Sequence, residues 1–246
     1  MIRTRIAPLS LAVIALAGCN GSGDSSTSKP AGSVAAVTAP AGTSWSQNVE
    51  YTAEGVRKGN PNATVKIVEY GSYTCPHCAA FQADSHEALE RDFVNTGKLN
   101  FEYRGFARDP IDLTVSLIAR CAPAESFFGL HSQLFANQEA MITAIQAKGD
   151  AAYQAAVSAP PEQRFVKLAE LADLIEFAKQ RGLPEDRVRA CLADSKKAQE
   201  LAAVAEAVVK KYPQFAGTPS FILNDTLLDA TASWSALEPK LREAGL

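Results

Sequence analysis

Two cysteines separated by two residues, Cys75-Pro76-His77-Cys78, have the spacing in this 246-residue chain that implies chemistry most directly. Such a pair can close a small disulfide ring or supply half of a metal site, and the flanking sequence decides which. Upstream, Val65-Lys66-Ile67-Val68-Glu69-Tyr70 is β-branched and apolar and reads as a buried strand. Downstream, Phe81, His86, Leu89 and Phe93 recur at helical spacing, so the pair sits where a strand hands over to a helix. Cys75 then lies at a helix N-terminus, where free N–H groups and the helix dipole favour a thiolate. Pro76 suits the first turn, which has no use for its missing N–H. His77 brings an imidazole to the sulfur, and a positive or donor neighbour lowers a thiol pKa further. The stretch therefore reads as a redox-active dithiol, with Cys75 the exposed nucleophile and Cys78 one turn further in and more buried.

A zinc site would need two or more further ligands at ligand spacing, and the sequence has no second Cys-x-x-Cys. His86 and His131 stand alone on helical stretches and read as ordinary surface or core histidines. No metal and no cofactor is expected.

With strand, motif and helix in place, the segment resembles the thioredoxin superfamily, and Cys-Pro-His-Cys resembles the DsbA branch of periplasmic disulfide oxidoreductases. Glu69, six residues before Cys75, matches the buried acid that the superfamily carries beneath its dithiol. Gly217-Thr218-Pro219-Ser220-Phe221 resembles the cis-proline segment that faces the disulfide, with Thr218 where the best-known DsbA proteins carry valine. The resemblance spans about residues 45–246. It implies an α/β thioredoxin-like fold with an inserted all-helical domain. The implied activity is a thiol:disulfide oxidoreductase that introduces disulfides into unfolded or cysteine-containing exported proteins. Thr218 and Pro219 would hold the substrate backbone, Glu69 would serve proton transfer to Cys78, and a DsbB-like membrane partner would reoxidise the dithiol. A reductase or isomerase using the same residues is the alternative, and a metal-binding thioredoxin-fold module a more distant one.

The elements that must position this chemistry follow in chain order. Short strands are expected over 49–52 and 56–58, then the central strand, the motif and a helix to about Asn95, then a strand over 99–104. From Ile111 to about Ser195 no strand is convincing. Leu113, Leu117 and Ile118 stripe one helix, Phe127 to Phe135 a second, and Phe165 to Ile175 a third. A short helix is expected over 150–158, and Gly182-Leu183-Pro184 separates the third helix from another at 185–192. A long amphipathic helix from Ala198 to Tyr212 leads back to strands at 220–223 and 226–228 and a final helix at 235–244. The thioredoxin-like half is thus assigned to 45–110 and 196–246, and the helical insertion to 111–195.

Residues 1–19 read as a leader. Arg3 and Arg5 precede an apolar run too short to span a membrane, ending in Leu16-Ala17-Gly18-Cys19. This tetrapeptide resembles the bacterial lipobox, which implies acylation of Cys19 and an exported, lipid-anchored protein. Asn20 in place of aspartate favours the outer membrane. Residues 20–44 are Gly, Ser, Thr, Ala and Pro with few large apolar side chains and read as a flexible tether. The body, 47% apolar and 21% charged, can bury a core in one or two domains and is expected to be a monomer. A net charge of −3 gives no reason to expect nucleic acid as a partner.

Five cysteines is an odd count for an exported protein. If Cys19 carries lipid, pairing Cys75 with Cys78 leaves Cys121 and Cys191 either bridged or as two buried thiols. Mass spectrometry of the mature protein should find an acylated N-terminal Cys19, and Cys19→Ala should leave the precursor uncleaved or release it from membranes. A mature N-terminus beyond residue 19 contradicts this.

Overall fold

The computed structural model describes residues 32–246, so Cys19 and the leader lie outside the described residues. Six strands are present: β1 (Val49–Tyr51), β2 (Val56–Gly59), β3 (Val65–Gly71), β4 (Leu99–Gly105), β5 (Ser220–Leu223) and β6 (Thr226–Leu227). They form one mixed sheet in the order β1-β2-β4-β3-β5-β6. β3 and β4 pair in parallel, which demands a crossover, and α1 (Pro76–Leu89) supplies it. β5 flanks the other side of β3 in antiparallel register, pairing Glu69 with Phe221. β3 is therefore central, and its period of two sets Glu69 on the same buried face as Val65 and Ile67.

Eight helices lie between β4 and β5: α2 (Pro110–Cys121), α3 (Phe127–Ala136), α4 (Gln138–Lys148), α5 (Asp150–Val157), α6 (Pro161–Leu171), α7 (Leu174–Lys179), α8 (Glu185–Ala193) and α9 (Ser195–Lys211). The last helix, α10 (Trp234–Glu243), follows β6. α2 is the hub of the helical part, packing on α3, α6, α8 and α9. Asp109 caps its start by accepting the Asp112 N–H at 2.8 Å, and Pro110 occupies the first turn. Its Val115, Leu117 and Ile118 are buried with Leu168 of α6 and Leu192 of α8 in one continuous core. Each such side chain contributes roughly 1.5–3 kcal/mol by leaving water.

Three stretches depart from the sequence reading. The tether expected to reach residue 44 is tied down from Val34. The Val34 N–H donates to the Gly245 carbonyl and the Val37 N–H to the Thr96 carbonyl, both at 2.9 Å. Trp45 Nε1 donates to the Val37 carbonyl at 2.6 Å. Gly97 makes this possible: its φ is +72°, and a Cβ there would collide with the Val37 carbonyl. Helix α4 had no counterpart in the sequence reading, because it buries just Gln138 and Met141 and so shows no apolar stripe. The stripe from Phe165 to Ile175 belongs to two helices, α6 and α7, not one. Asp173 between them takes a left-handed conformation (φ 55°). Lys148 Nζ fills the break, donating to the Glu170 and Leu171 carbonyls and to Asp173 at 2.6–3.0 Å.

Cys121 at the end of α2 is bridged to Cys191 in α8, with Cα atoms 5.9 Å apart and a sequence separation of 70. Closing a loop of that length is worth about 4.4 kcal/mol in the chain-entropy account, and typically ~2–4 kcal/mol in practice. The Cys121→Ala/Cys191→Ala variant should lose roughly 2–4 kcal/mol in urea unfolding while its Cys75–Cys78 exchange persists. Unchanged stability, or four free thiols in unreduced protein, contradicts this.

Candidate active site

The strand end, the following turn and the start of α1 bring the two sulfurs together as thiols. Cys75 is the N-cap residue of α1 and Pro76 its first residue, as the strand-to-helix handover requires. Cys75 retains 2% of its surface and Cys78 none, so the expected order of burial holds but the nucleophile is far less open than expected. The segment covering it is Gly217–Pro219, whose Thr218-Pro219 peptide bond is cis. Cys75 Sγ donates to the Thr218 carbonyl at 3.2 Å.

The sulfurs differ in electrostatics. Cys75 is pulled down to about 4, first by its hydrogen bond with the Cys78 thiol. The Thr218 side chain and the N–H groups of Cys78 and His77 add to this, against the opposing effect of burial. Thr218 Oγ1 is buried with no hydrogen-bond partner among the described residues, so its proton is free for the thiolate. His77 thus acts through its backbone. Its imidazole is exposed and makes no hydrogen bond among the described residues, in contrast to the pairing expected from sequence. Cys78 is pushed strongly upward by its hydrogen bond with Cys75, by burial and by the nearby Glu69 carboxyl. The Ser72 N–H, which donates to Cys78 Sγ at 3.4 Å, pulls the other way.

Glu69 is fully buried, and neither carboxyl oxygen has a partner among the described residues. Burial raises it to about 8, and Lys58 offsets part of the rise. It borders a cavity of about 330 Å³ that Lys58, Ser85, His86 and Glu90 also line. Lys58, on β2, is buried, sits 4.6 Å from the Phe128 ring centre and pairs with Glu90 at 3.1 Å.

Residues that the sequence reading did not single out surround the turn before Cys75. Asp112 Oδ1 accepts the Tyr73 N–H at 2.8 Å and its Oδ2 the Arg108 N–H at 3.0 Å. Burial raises Asp112 to about 7 against these hydrogen bonds. Asp109 accepts the Thr74 hydroxyl at 2.6 Å, and Gln138 Nε2 donates to the Tyr73 and Cys75 carbonyls at 2.8 and 3.0 Å. The Tyr73 hydroxyl meets Nδ1 of His131, a fully buried imidazole that desolvation lowers to about 3 and keeps neutral. The sequence does carry one signal for part of this set: Asp109-Pro110 ahead of an apolar stripe is a helix start. Among the described residues no group of three or more His, Cys, Asp or Glu is placed to hold a metal ion.

A thiol at a helix N-terminus, a deeper partner thiol, a buried acid and a facing cis-proline thus lie together on a thioredoxin-like sheet with a helical insertion. The thioredoxin family model matches residues 52–242, and the chain belongs to that family. A crystal structure of protein-disulfide isomerase from Novosphingobium aromaticivorans is 34% identical, superposes with a TM-score of 0.72, and matches over 76% of this chain and 94% of its own. Wolbachia pipientis α-DsbA1 shares the fold at 18% identity and a TM-score of 0.61, over 82% of this chain and 96% of its own. A Rickettsia typhi protein provisionally named protein-disulfide oxidoreductase is 30% identical over 68% of this chain and 53% of its own length. The chain spans about half the length of the curated Rickettsia relatives it matches.

The raised Glu69 carboxyl has a consequence for stability. The folded protein keeps a proton that the unfolded chain has lost, so stability is full below about pH 4.5 and falls as pH rises toward about 8. Above that the folded state also deprotonates and the loss levels off. Glu69→Gln removes this titration, so its stability relative to wild type should climb between those limits in urea unfolding at stepped pH. A difference independent of pH contradicts the assignment.

Proposed function

We propose that this chain is an exported thiol:disulfide oxidoreductase that oxidises substrate dithiols at Cys75 and Cys78. The observation that carries the direction is the depression of Cys75 to about 4 by donors gathered on one sulfur. That stabilisation exists only in the reduced protein, so it favours reduction of the Cys75–Cys78 disulfide and makes the disulfide oxidising.

In the oxidised enzyme a substrate thiolate attacks Cys75 Sγ, the sulfur that reaches the surface. The Cys75–Cys78 bond breaks, its electron pair goes to Cys78 Sγ, and a substrate–Cys75 mixed disulfide forms. Cys78 has a strongly raised pKa and takes a proton from Glu69, which is held protonated at neutral pH. The cavity past Lys58 and Glu90 is the route by which Glu69 regains its proton. A second substrate thiolate then attacks the substrate sulfur and displaces the Cys75 thiolate. The substrate leaves with a disulfide and the enzyme is reduced by two electrons. Thr218 and Pro219 border a groove of about 550 Å³ with Leu227, Leu228 and Thr231, which accommodates an extended substrate segment. Unfolded or cysteine-containing exported proteins are the substrates, and a DsbB-like membrane protein reoxidises the dithiol.

The periplasm is the compartment proposed, with cleavage before Cys19 removing residues 1–18 of the lipoprotein leader, Cys19 acylated and the outer membrane as the anchoring site. No helix of the described residues is long and apolar enough to cross a membrane. Isomerase action by the same dithiol is the second reading, favoured by the likeness to the Novosphingobium protein named as an isomerase.

Equilibration with glutathione buffers should give a potential well above that of thioredoxin, and the reduced protein should melt at a higher temperature than the oxidised one. The protein should oxidise a reduced, unfolded disulfide protein, and Cys75→Ala should abolish this. A disulfide that stabilises the fold, with a potential as low as thioredoxin's, would mean reductase.

A further inference from the structure

The peptide turn before Cys75 is gripped on both sides by the helical insertion. Tyr73 is the residue held: its N–H goes to Asp112 Oδ1 at 2.8 Å and its carbonyl takes the Gln138 amide at 2.8 Å. The same Gln138 nitrogen reaches the Cys75 carbonyl at 3.0 Å. Asp112 is itself fixed, accepting the Arg108 N–H at 3.0 Å, while its own N–H donates to Asp109 at 2.8 Å. Both residues are over nine-tenths buried, so water does not compete for these bonds. The amide just before Tyr73, that of Ser72, points the other way and donates to Cys78 Sγ at 3.4 Å. Successive N–H groups of one turn thus serve a carboxylate of the insertion and the buried sulfur.

We propose that Asp112 and Gln138 are positioning residues for disulfide exchange, which clamp Tyr73 so that the Ser72 N–H stays aimed at Cys78 Sγ as that sulfur leaves the disulfide. When a thiolate attacks Cys75, the broken S–S bond sends its electron pair to Cys78, buried among apolar neighbours. A preorganised N–H aimed at the atom that gains charge lowers the barrier because no solvent or chain must reorganise to supply it. The donor is a backbone group and cannot be mutated away, so its direction depends on what holds the turn. The inference rests on exchange at Cys75 and Cys78, not on whether the physiological direction is oxidation or isomerisation.

The test is the rate at which reduced glutathione reduces the oxidised full-length protein, measured alongside the Cys75 thiolate titration by ultraviolet absorbance. Asp112→Ala should slow reduction about tenfold, the lower end for losing a hydrogen bond to a charging group. The Cys75 pKa should stay put, because the groups that depress it lie on Cys78, Thr218 and the start of α1. Asp112→Asn, whose amide oxygen still accepts the Tyr73 N–H although its NH2 group then faces the Arg108 N–H, should restore part of the rate. A merely structural role predicts instead that rate, Cys75 pKa and melting temperature move together. The proposal is overturned by a folded Asp112→Ala that reacts at the wild-type rate, or by Asp112→Asn losing as much as alanine. Should Asp112→Ala fail to fold, Gln138→Ala, which frees the Tyr73 carbonyl, decides: slower reduction with an unmoved Cys75 pKa upholds the clamp, and a wild-type rate rejects it. The wild-type reaction with glutathione reports separately on the dithiol reading itself.

Discussion

A negative charge on Cys75, inside a site that leaves the residue 2% of its surface, is the constraint on which the rest of this structure turns. Water cannot solvate that charge fully, so the protein must bring donors to it. They come from three places: the first amides of α1, the thiol one turn in, and the Thr218 side chain on a segment far away in sequence. The sheet is what makes the third possible, since β5 follows that segment directly and pairs with β3 beside Glu69. The sulfur that needs no charge at rest sits one turn deeper, where burial and a neighbouring carboxyl both keep its proton on. One helix start on one strand end thus yields two thiols of opposite character.

The helical insertion is attached to this site by polar contacts as well as by the shared core. Asp109 and Asp112 at the start of α2, His131 on α3 and Gln138 on α4 between them bond to residues 73–75. A turn of that kind carries amides and carbonyls that a strand or helix would have paired internally, and burying them unpaired would cost more than the turn could bear. The insertion both covers the turn and pairs it. The capping Asp109 serves double duty, since the carboxylate that closes α2 also holds Thr74. Loss of that residue therefore disturbs a helix start and the redox turn together.

The dithiol and the strand and helix around it are legible in the sequence because each rests on local periodicity or on a short fixed spacing. Glu69 came from the resemblance, which places a buried acid six residues before Cys75, and β3 sets it on the buried face with Val65 and Ile67. The clamp on Tyr73 is out of reach because it depends on Asp112 and Gln138, side chains 39 and 65 residues away that no local pattern ties to the turn. Gln138 begins a helix with a mostly exposed surface, so even the element that carries it left no stripe. The division of α6 from α7 was hidden for the opposite reason. Both helices face the same core, so the apolar pattern runs through the break that Asp173 and Lys148 create. Likewise the pinning of Val34 and Val37 rests on backbone groups and on Gly97, none of which alters the composition that reads as a tether.

Glu69 shows why such a site is better explained by chemistry than by stability. A carboxyl with both oxygens unpartnered in the core costs free energy that an apolar residue on the same strand face would not. Lys58 relieves it only in part, for it gives its hydrogen bond to Glu90 and packs over Phe128. Desolvation raises the acid to about 8, so in the proposed exchange it still carries a proton to give at neutral pH. Had Lys58 paired with Glu69 directly, the carboxyl would have stayed ionised and had no proton to give. The unpaired acid, the occupied lysine and the cavity between them therefore belong to one arrangement. Burial raises Glu69 to about 8 near Cys78, with the cavity at its edge.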